Sequence, residues 1–240
     1  MARNHARTVN SIARPSNLAQ ARLWSRREAH EYALADVVTT ASLADKHEMG
    51  PRAVWLPTPV TKANNVLKRS RGPSREALSV YGMLANFDYP PNRDAYDRLI
   101  RHWLPLLPSS DRVVVAGFGS EKLPSAERTT VMGAVGDVAE FYEKVDIVLA
   151  PIYLGGGMKV KVVEAMMYGK PVIASEHARS GLPPAIAEAC VKWEQLPPDF
   201  SVRFFDPRND SRVVEDLSKF TFACFRSTLK SLWQERMSAR

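Results

Sequence analysis

Cysteine is nearly absent from this sequence: 240 residues contain two, Cys190 and Cys224, which rules out a disulfide framework. Five scattered histidines add no metal-ligand spacing, and there is no D-x-D to bridge a diphosphate through a metal. No apolar run approaches the roughly 20 residues of a membrane span. The longest of them, such as residues 147–151, are short, and no signal-peptide core follows Met1. The expectation is a chain in a reducing cytoplasm, neither exported nor inserted. Acids are missing from residues 1–27, which hold Arg3, Arg7, Arg14, Arg22, Arg26 and Arg27. That arm reads as a solvated terminus, with peripheral contact to an anionic membrane as the alternative.

What is present is ordinary for a globular protein: 45% hydrophobic and 25% charged residues, with a net charge of +7 that favours anionic partners. Residues 23–35 read as a helix, 36–42 as a strand, 43–48 as a short helix capped by Ser42, and 53–56 as a strand. A Pro-rich and polar linker follows to Arg75. Its cluster Lys68, Arg69, Arg71 and Arg75 has no interleaved aromatics to stack bases, so nucleic acid is not expected as a partner. Strands are expected at 78–81, 112–116, 129–132, 146–150 and 171–175, with the first ending at Gly82. Helices are expected at 91–106, 138–144 and 159–168, and one or two more over 213–237. Strand and helix alternate, which implies βαβ units and a doubly wound parallel sheet.

The chemistry concentrates in residues 151–175, PIYLGGGMKVKVVEAMMYGKPVIAS. A buried strand runs into Gly155, Gly156 and Gly157, and a helix follows. Glycines expose their amide N–H groups, and with a helix N-terminus these make an anion site. Lys159 and Lys161 add positive charge. Glu164 lies about two turns into the helix, on the face of Lys161, where a carboxylate can accept from two adjacent ribose hydroxyls. The bland reading of Glu164 is a solvated carboxylate paired with Lys161. Gly117 and Gly119 begin a G-x-G without its third glycine and read as a tight turn. His177 reads as a solvent-facing loop residue, with a position facing the sugar as the alternative. His102, beside Trp103, reads as structural.

The segment GGGMKVKVVEAMMYGKPVIAS resembles the C-terminal, donor-binding domain of GT-B glycosyltransferases, in particular glycosyltransferase family 4. The resemblance implies that Glu164 binds the donor ribose as the second acid of an E-x7-E motif. The first acid would fall at Gly156, so this chain departs from the two-acid form. VYGMLANFDYPPNRDA, residues 80–95, resembles the first strand and loop of that domain, with Gly82 approaching the donor and Met83 where many members are basic. Residues 131–151 resemble the segment that meets the base, which puts Val135, Gly136 and Asp137 near it. Residues 35–60 resemble the end of the N-terminal domain.

By that likeness the fold is α/β, a Rossmann-like doubly wound parallel sheet with a truncated N-terminal domain. Residues 1–59 would be the remnant, 60–189 the nucleotide-sugar domain and 190–240 a helical tail. Donor contacts would come from Gly82, Gly155, Gly156, Gly157, Met158, Lys159, Lys161, Glu164 and Asp137. No catalytic residue can be named. The implied function is sugar transfer from a nucleotide diphosphate sugar to a glycan or glycolipid acceptor, with retention of configuration and no obligatory metal or cofactor. Too few residues precede Ala35 to build the N-terminal domain, which needs roughly 100, so the expectation is a fragment, a truncated reading frame, or one half of a split enzyme whose N-terminal domain a separate chain supplies. A non-catalytic binding module and a nucleotide-sugar epimerase are the alternative readings.

Overall fold

The computed structural model describes residues 15–60, 79–196 and 206–238. Arg3, Arg7 and Arg14 of the basic arm, and the linker cluster Lys68, Arg69, Arg71 and Arg75, lie outside the described residues. Two strands and two helices come first: α1 (Pro15–Leu34), β1 (Val38–Thr40), α2 (Leu43–Met49) and β2 (Ala53–Trp55). β1 and β2 pair in parallel. Ser42 starts α2 as expected, its Oγ accepting from the amides of Ala44 and Asp45, and the helix stops at Gly50 with φ +84°.

The second set of elements is β3 (Val80–Leu84), α3 (Pro90–Arg98), β4 (Arg112–Ala116), β5 (Thr129–Gly133), α4 (Val138–Lys144), β6 (Ile147–Ala150), α5 (Val160–Met167) and β7 (Val172–Ala174). α6 (Glu176–Arg179), α7 (Pro184–Ala189), β8 (Val191–Lys192), α8 (Ser211–Ser218) and α9 (Phe222–Ser238) complete it. Six parallel strands lie in the order β5-β4-β3-β6-β7-β8. That is the doubly wound arrangement, whose chain direction switches sides between β3 and β6. Ligands of open α/β sheets bind in the crevice at the carboxyl ends of such strands.

Alternation along each strand divides the core in two. Tyr81, Met83, Val113, Val115, Ile147, Leu149 and Ile173 face one layer, completed by Phe87, Tyr96, Leu99 and Trp103. Leu84, Ala116, Val148, Ala150, Val172 and Ala174 face the other, filled by Phe141, Tyr142, Val162, Val163 and Ile186. Val213, Leu217 and Phe220 of the α8 region also enter that second layer. The strands read as unbroken apolar runs because both faces are covered.

Three expectations change. β3 does not end at Gly82; it continues to Leu84, with Gly82 paired to Val114 and Val148. The helix expected over 91–106 keeps α geometry only to Arg98, then widens over Leu99–Trp103 and tightens over Leu104–Leu106. Pro105 has no N–H and its ring would strike the carbonyl one turn back, so the α ladder cannot continue. After β7, α6, α7 and β8 were not expected, and β8 extends the sheet beside β7. Trp193, just after β8, stacks flat on buried Trp103 at 4.0 Å.

The first elements are tied to this sheet. Leu43 N donates to Gly181 O at 3.3 Å and Val60 N to Phe220 O at 2.9 Å. Trp55 meets Phe220 edge-on at 5.7 Å. α9 returns to the start of the chain, where Arg236 donates to Asp36 O and its guanidinium lies 3.5 Å from the Asp36 carboxylate. Among the described residues, no helix is long and apolar enough to cross a membrane.

Candidate functional site

β6 leaves the sheet at Ala150, next to the switch point, and Pro151 begins the loop to α5. Gly155 and Gly157 hold φ of +97° and +72°, a region that side chains strain to reach. Gly155 also lies against the loop after β3, since a Cβ there would stand 3.3 Å from Tyr89 Oη. None of the amides of Gly155, Gly156, Gly157 and Met158 donates to a described residue. They are left open at the positive pole of α5.

Lys159 curls back over this loop. Its Nζ donates to the carbonyls of Gly155 at 3.1 Å, Gly156 at 3.4 Å and Gly157 at 2.9 Å. Burial pulls its pKa below the usual lysine value, and the charge of Asp45 partly opposes that. Three carbonyls turned toward an ammonium leave the other side of the loop to its N–H groups. His177 adds a fourth constraint: its Nε2 lies 2.8 Å from Gly155 O. A carbonyl can only accept, so that nitrogen carries the proton and Nδ1 is the acceptor in the neutral ring. His177, on α6, is thus partly buried against the loop, and what it exposes lines the cleft over that loop. His102, expected to be structural, is exposed.

A cleft of about 340 Å³ opens over the loop, lined by Tyr153, the three glycines, Lys159, His177 and Ser180 on one side and by Ser42, Ala44 and Asp45 of the α2 region on the other. Tyr153 is fixed by Trp103, whose Nε1 donates to its Oη at 3.3 Å, and by the Arg98 guanidinium 4.7 Å above its ring. Asp45 and Ser42 were not expected at this site, because no local motif connects α2 to a glycine loop more than a hundred residues away; Tyr153, two residues before the glycines, was passed over because it belongs to no motif of its own.

Glu164 lies beyond that lining, further along α5, with 9% of its surface exposed. Its Oε2 accepts from Lys161 Nζ at 2.6 Å and from Tyr142 Oη at 2.9 Å. Oε1 has no hydrogen-bond partner among the described residues. Tyr142 is 1% exposed and stacks on Tyr168 at 4.3 Å. Burial first, and then the charge of Glu164, push its phenol well above the ordinary tyrosine value, so it stays a donor. An aromatic at helical spacing reads as core, and Tyr142 is core that also orients a carboxylate.

The remaining expected donor contacts are placed as follows. Lys161 is the ion-pair partner of Glu164. Asp137 caps α4, accepting from Ala139 N at 3.0 Å. Gly82 is buried in mid-strand, where a Cβ would stand 2.6 Å from both Phe141 Cζ and Val145 Cγ1. The glycine there admits α4 onto the sheet, a packing reason for glycine that is separate from the donor contact expected of its backbone. Among the described residues, no three His, Cys, Asp or Glu side chains group as a metal site.

Residues 79–196 match the family described as glycosyl transferases group 1. No curated protein matches the sequence. Among solved structures, the chain is similar to Anabaena HepE in complex with UDP, at 14% identity and a TM-score of 0.60, over 96% of this chain and 71% of that one. A glycosyltransferase from Rickettsia africae ESF-5 gives 14% identity and a TM-score of 0.58 over 82% of this chain and 63% of that one. An S. aureus TarM mutant in complex with fondaparinux, α-GlcNAc-glycerol and UDP gives 12% and 0.58 over 95% and 49%. The chain spans less than two thirds of the length of the last two. Strand order, switch point and these likenesses agree: the chain has a GT-B glycosyltransferase-like fold, and the segment matching glycosyl transferases group 1 is the one that carries the glycine loop and α5.

Proposed function

We propose that this chain binds a nucleotide diphosphate sugar over its glycine loop and takes part in transfer of that sugar to a glycan or glycolipid acceptor. The observation that carries the reading is the row of unengaged amides at Gly155–Met158, set at the N-terminus of α5 and at the switch point of the sheet. Backbone N–H groups at a positive helix pole are the ordinary receptor for a phosphate. In this reading the loop amides hold the diphosphate, the α5 dipole stabilises the charge that grows as it leaves, and Lys159 adds a cation. An anion beside Lys159 would reverse the depression of its pKa. Glu164 offers its open Oε1 to the ribose hydroxyls, with Oε2 held by Tyr142 and Lys161.

UDP is the first nucleotide to test, since structural neighbours were crystallised with it. The acceptor, a growing glycan or glycolipid, would be met at the cytoplasmic face of a membrane, and the exposed arginines of α1 suit such a surface. Calorimetric titration with UDP, GDP and ADP tests the donor site directly. One saturable site for one of them is expected, followed by nucleotide release from its sugar conjugate when acceptor membranes are added. Absence of saturable binding by all three at millimolar concentration would end the proposal.

A further inference from the structure

Within the donor site proposed above, we infer that Asp45 receives a hydroxyl of the sugar carried on the diphosphate, and so selects which sugar is held. Asp45 sits on α2, across the cleft from the glycine loop. Its place is fixed by its own helix and by the facing chain. Ser42 Oγ caps the helix and lies so near Gly181 that a Cβ there would come within 2.7 Å of it. The Leu43 amide donates to the Gly181 carbonyl, on the loop that follows α6 and His177.

The residue is 6% exposed, yet its Oδ2 has no hydrogen-bond partner among the described residues. A buried carboxylate oxygen left bare is expensive, and native structures fill such an atom or use it. The nearby cation does not fill it. The Lys159 ammonium is spent on three loop carbonyls, and no ion pair within 4.0 Å joins it to Asp45 among the described residues. Asp45 acts on Lys159 only through the field of its charge.

The chemistry of the missing partner follows from what a carboxylate accepts. A phosphate brings a second negative charge and is excluded next to it. An apolar group leaves the oxygen bare. A hydroxyl supplies a proton without charge, and a pyranose carries several, attached directly to a diphosphate held by the loop opposite. Asp45 is therefore a substrate-binding residue whose contact lies on the sugar and not on the nucleotide.

The test compares UDP with UDP-glucose and UDP-galactose by calorimetry, or the GDP or ADP pairs if that base binds, on the full chain and on Asp45→Asn and Asp45→Ala. Thermal melting verifies that each variant folds. For Asp45→Ala the expected result is an unchanged or tighter Kd for the free nucleotide and a Kd weakened by about tenfold or more for the preferred sugar conjugate. Asp45→Asn should fall between, since an amide oxygen still accepts. With 3-, 4- or 6-deoxy sugar nucleotides, one analogue should bind wild type as weakly as the parent conjugate binds Asp45→Ala, and lose nothing further in the variant. Equal weakening of nucleotide and conjugate would show that Asp45 only shapes the loop or balances Lys159, and overturns the inference. So does an unchanged conjugate Kd with a raised acceptor KM, which would assign the hydroxyl to the acceptor. If no nucleoside diphosphate binds wild type, the donor site itself falls and Asp45 with it, a result distinct from either of these.

Discussion

Among the described residues, Glu164 is held by two donors on one oxygen and by none on the other. Tyr142 is buried and its bond to Glu164 is closed to water, whereas Lys161 is 43% exposed at its side chain. The two supports therefore differ in weight. Tyr142→Phe should lower folding stability by about 1.5–3 kcal/mol, the range for a bond to a charged group, in urea denaturation. Lys161→Ala should cost about 0–1 kcal/mol, because water screens an exposed pair. A ranking in the opposite order would mean that the phenol does not hold the carboxylate. Glu164→Ala removes the proposed ribose contact itself and should weaken nucleotide binding by about 1.5–3 kcal/mol. Unchanged calorimetric affinity would reject the ribose role while leaving the loop's role standing.

At the scale of elements, α4 gives Gly82 a packing reason to be glycine that the likeness did not supply. Gly82 carries no side chain because Phe141 and Val145 of the α4 segment occupy that space. Gly82→Ala should overpack this contact and cost about 1–3 kcal/mol in stability. Nucleotide affinity of the folded variant should stay at the wild-type value; a large loss of affinity at unchanged stability would assign a donor role to this glycine. The same contrast explains what could be read in the chain. β4, α4 and the loop with α5 were legible, because caps, glycines and apolar periods all lie within a few residues. α6, α7 and β8 were not, since four, six and two residues carry no period and owe their shape to neighbours already in place. The turn at Leu99–Trp103 hides behind a continuous helical pattern that only Pro105 interrupts. The far wall of the cleft was invisible for a stronger reason: Ser42 and Asp45 come near Gly155 only after the whole sheet has formed.

For the molecule as a whole, the two core layers set how it answers to alkali. Cys190 ends α7 at the start of β8 with 4% of its surface exposed, and its Sγ donates to Ile186 O at 3.4 Å. Burial pushes its thiol from about 9 up to about 12. A group whose pKa rises on folding lends stability that is whole below the unfolded value and is lost as pH climbs toward the folded one. The loss through Cys190 therefore starts near pH 9. Buried Tyr81, Tyr142 and Tyr168, also raised, join above the usual tyrosine value near 10. Lys159 and Lys170 act with the opposite sign, because their lowered values make the folded state release its proton first and gain stability as pH approaches the usual lysine range. The first part of the decline thus belongs to the thiol alone. Between about pH 8.5 and 10.5, wild type should lose about 2 kcal/mol more than Cys190→Val, the share of a three-unit shift completed by then. Urea denaturation at a series of pH values reads this as a difference in slope, whatever offset the added methyl group brings. Parallel slopes would mean that the thiol reaches water in the folded state, and that the junction of α7 with β8 is looser than its packing indicates.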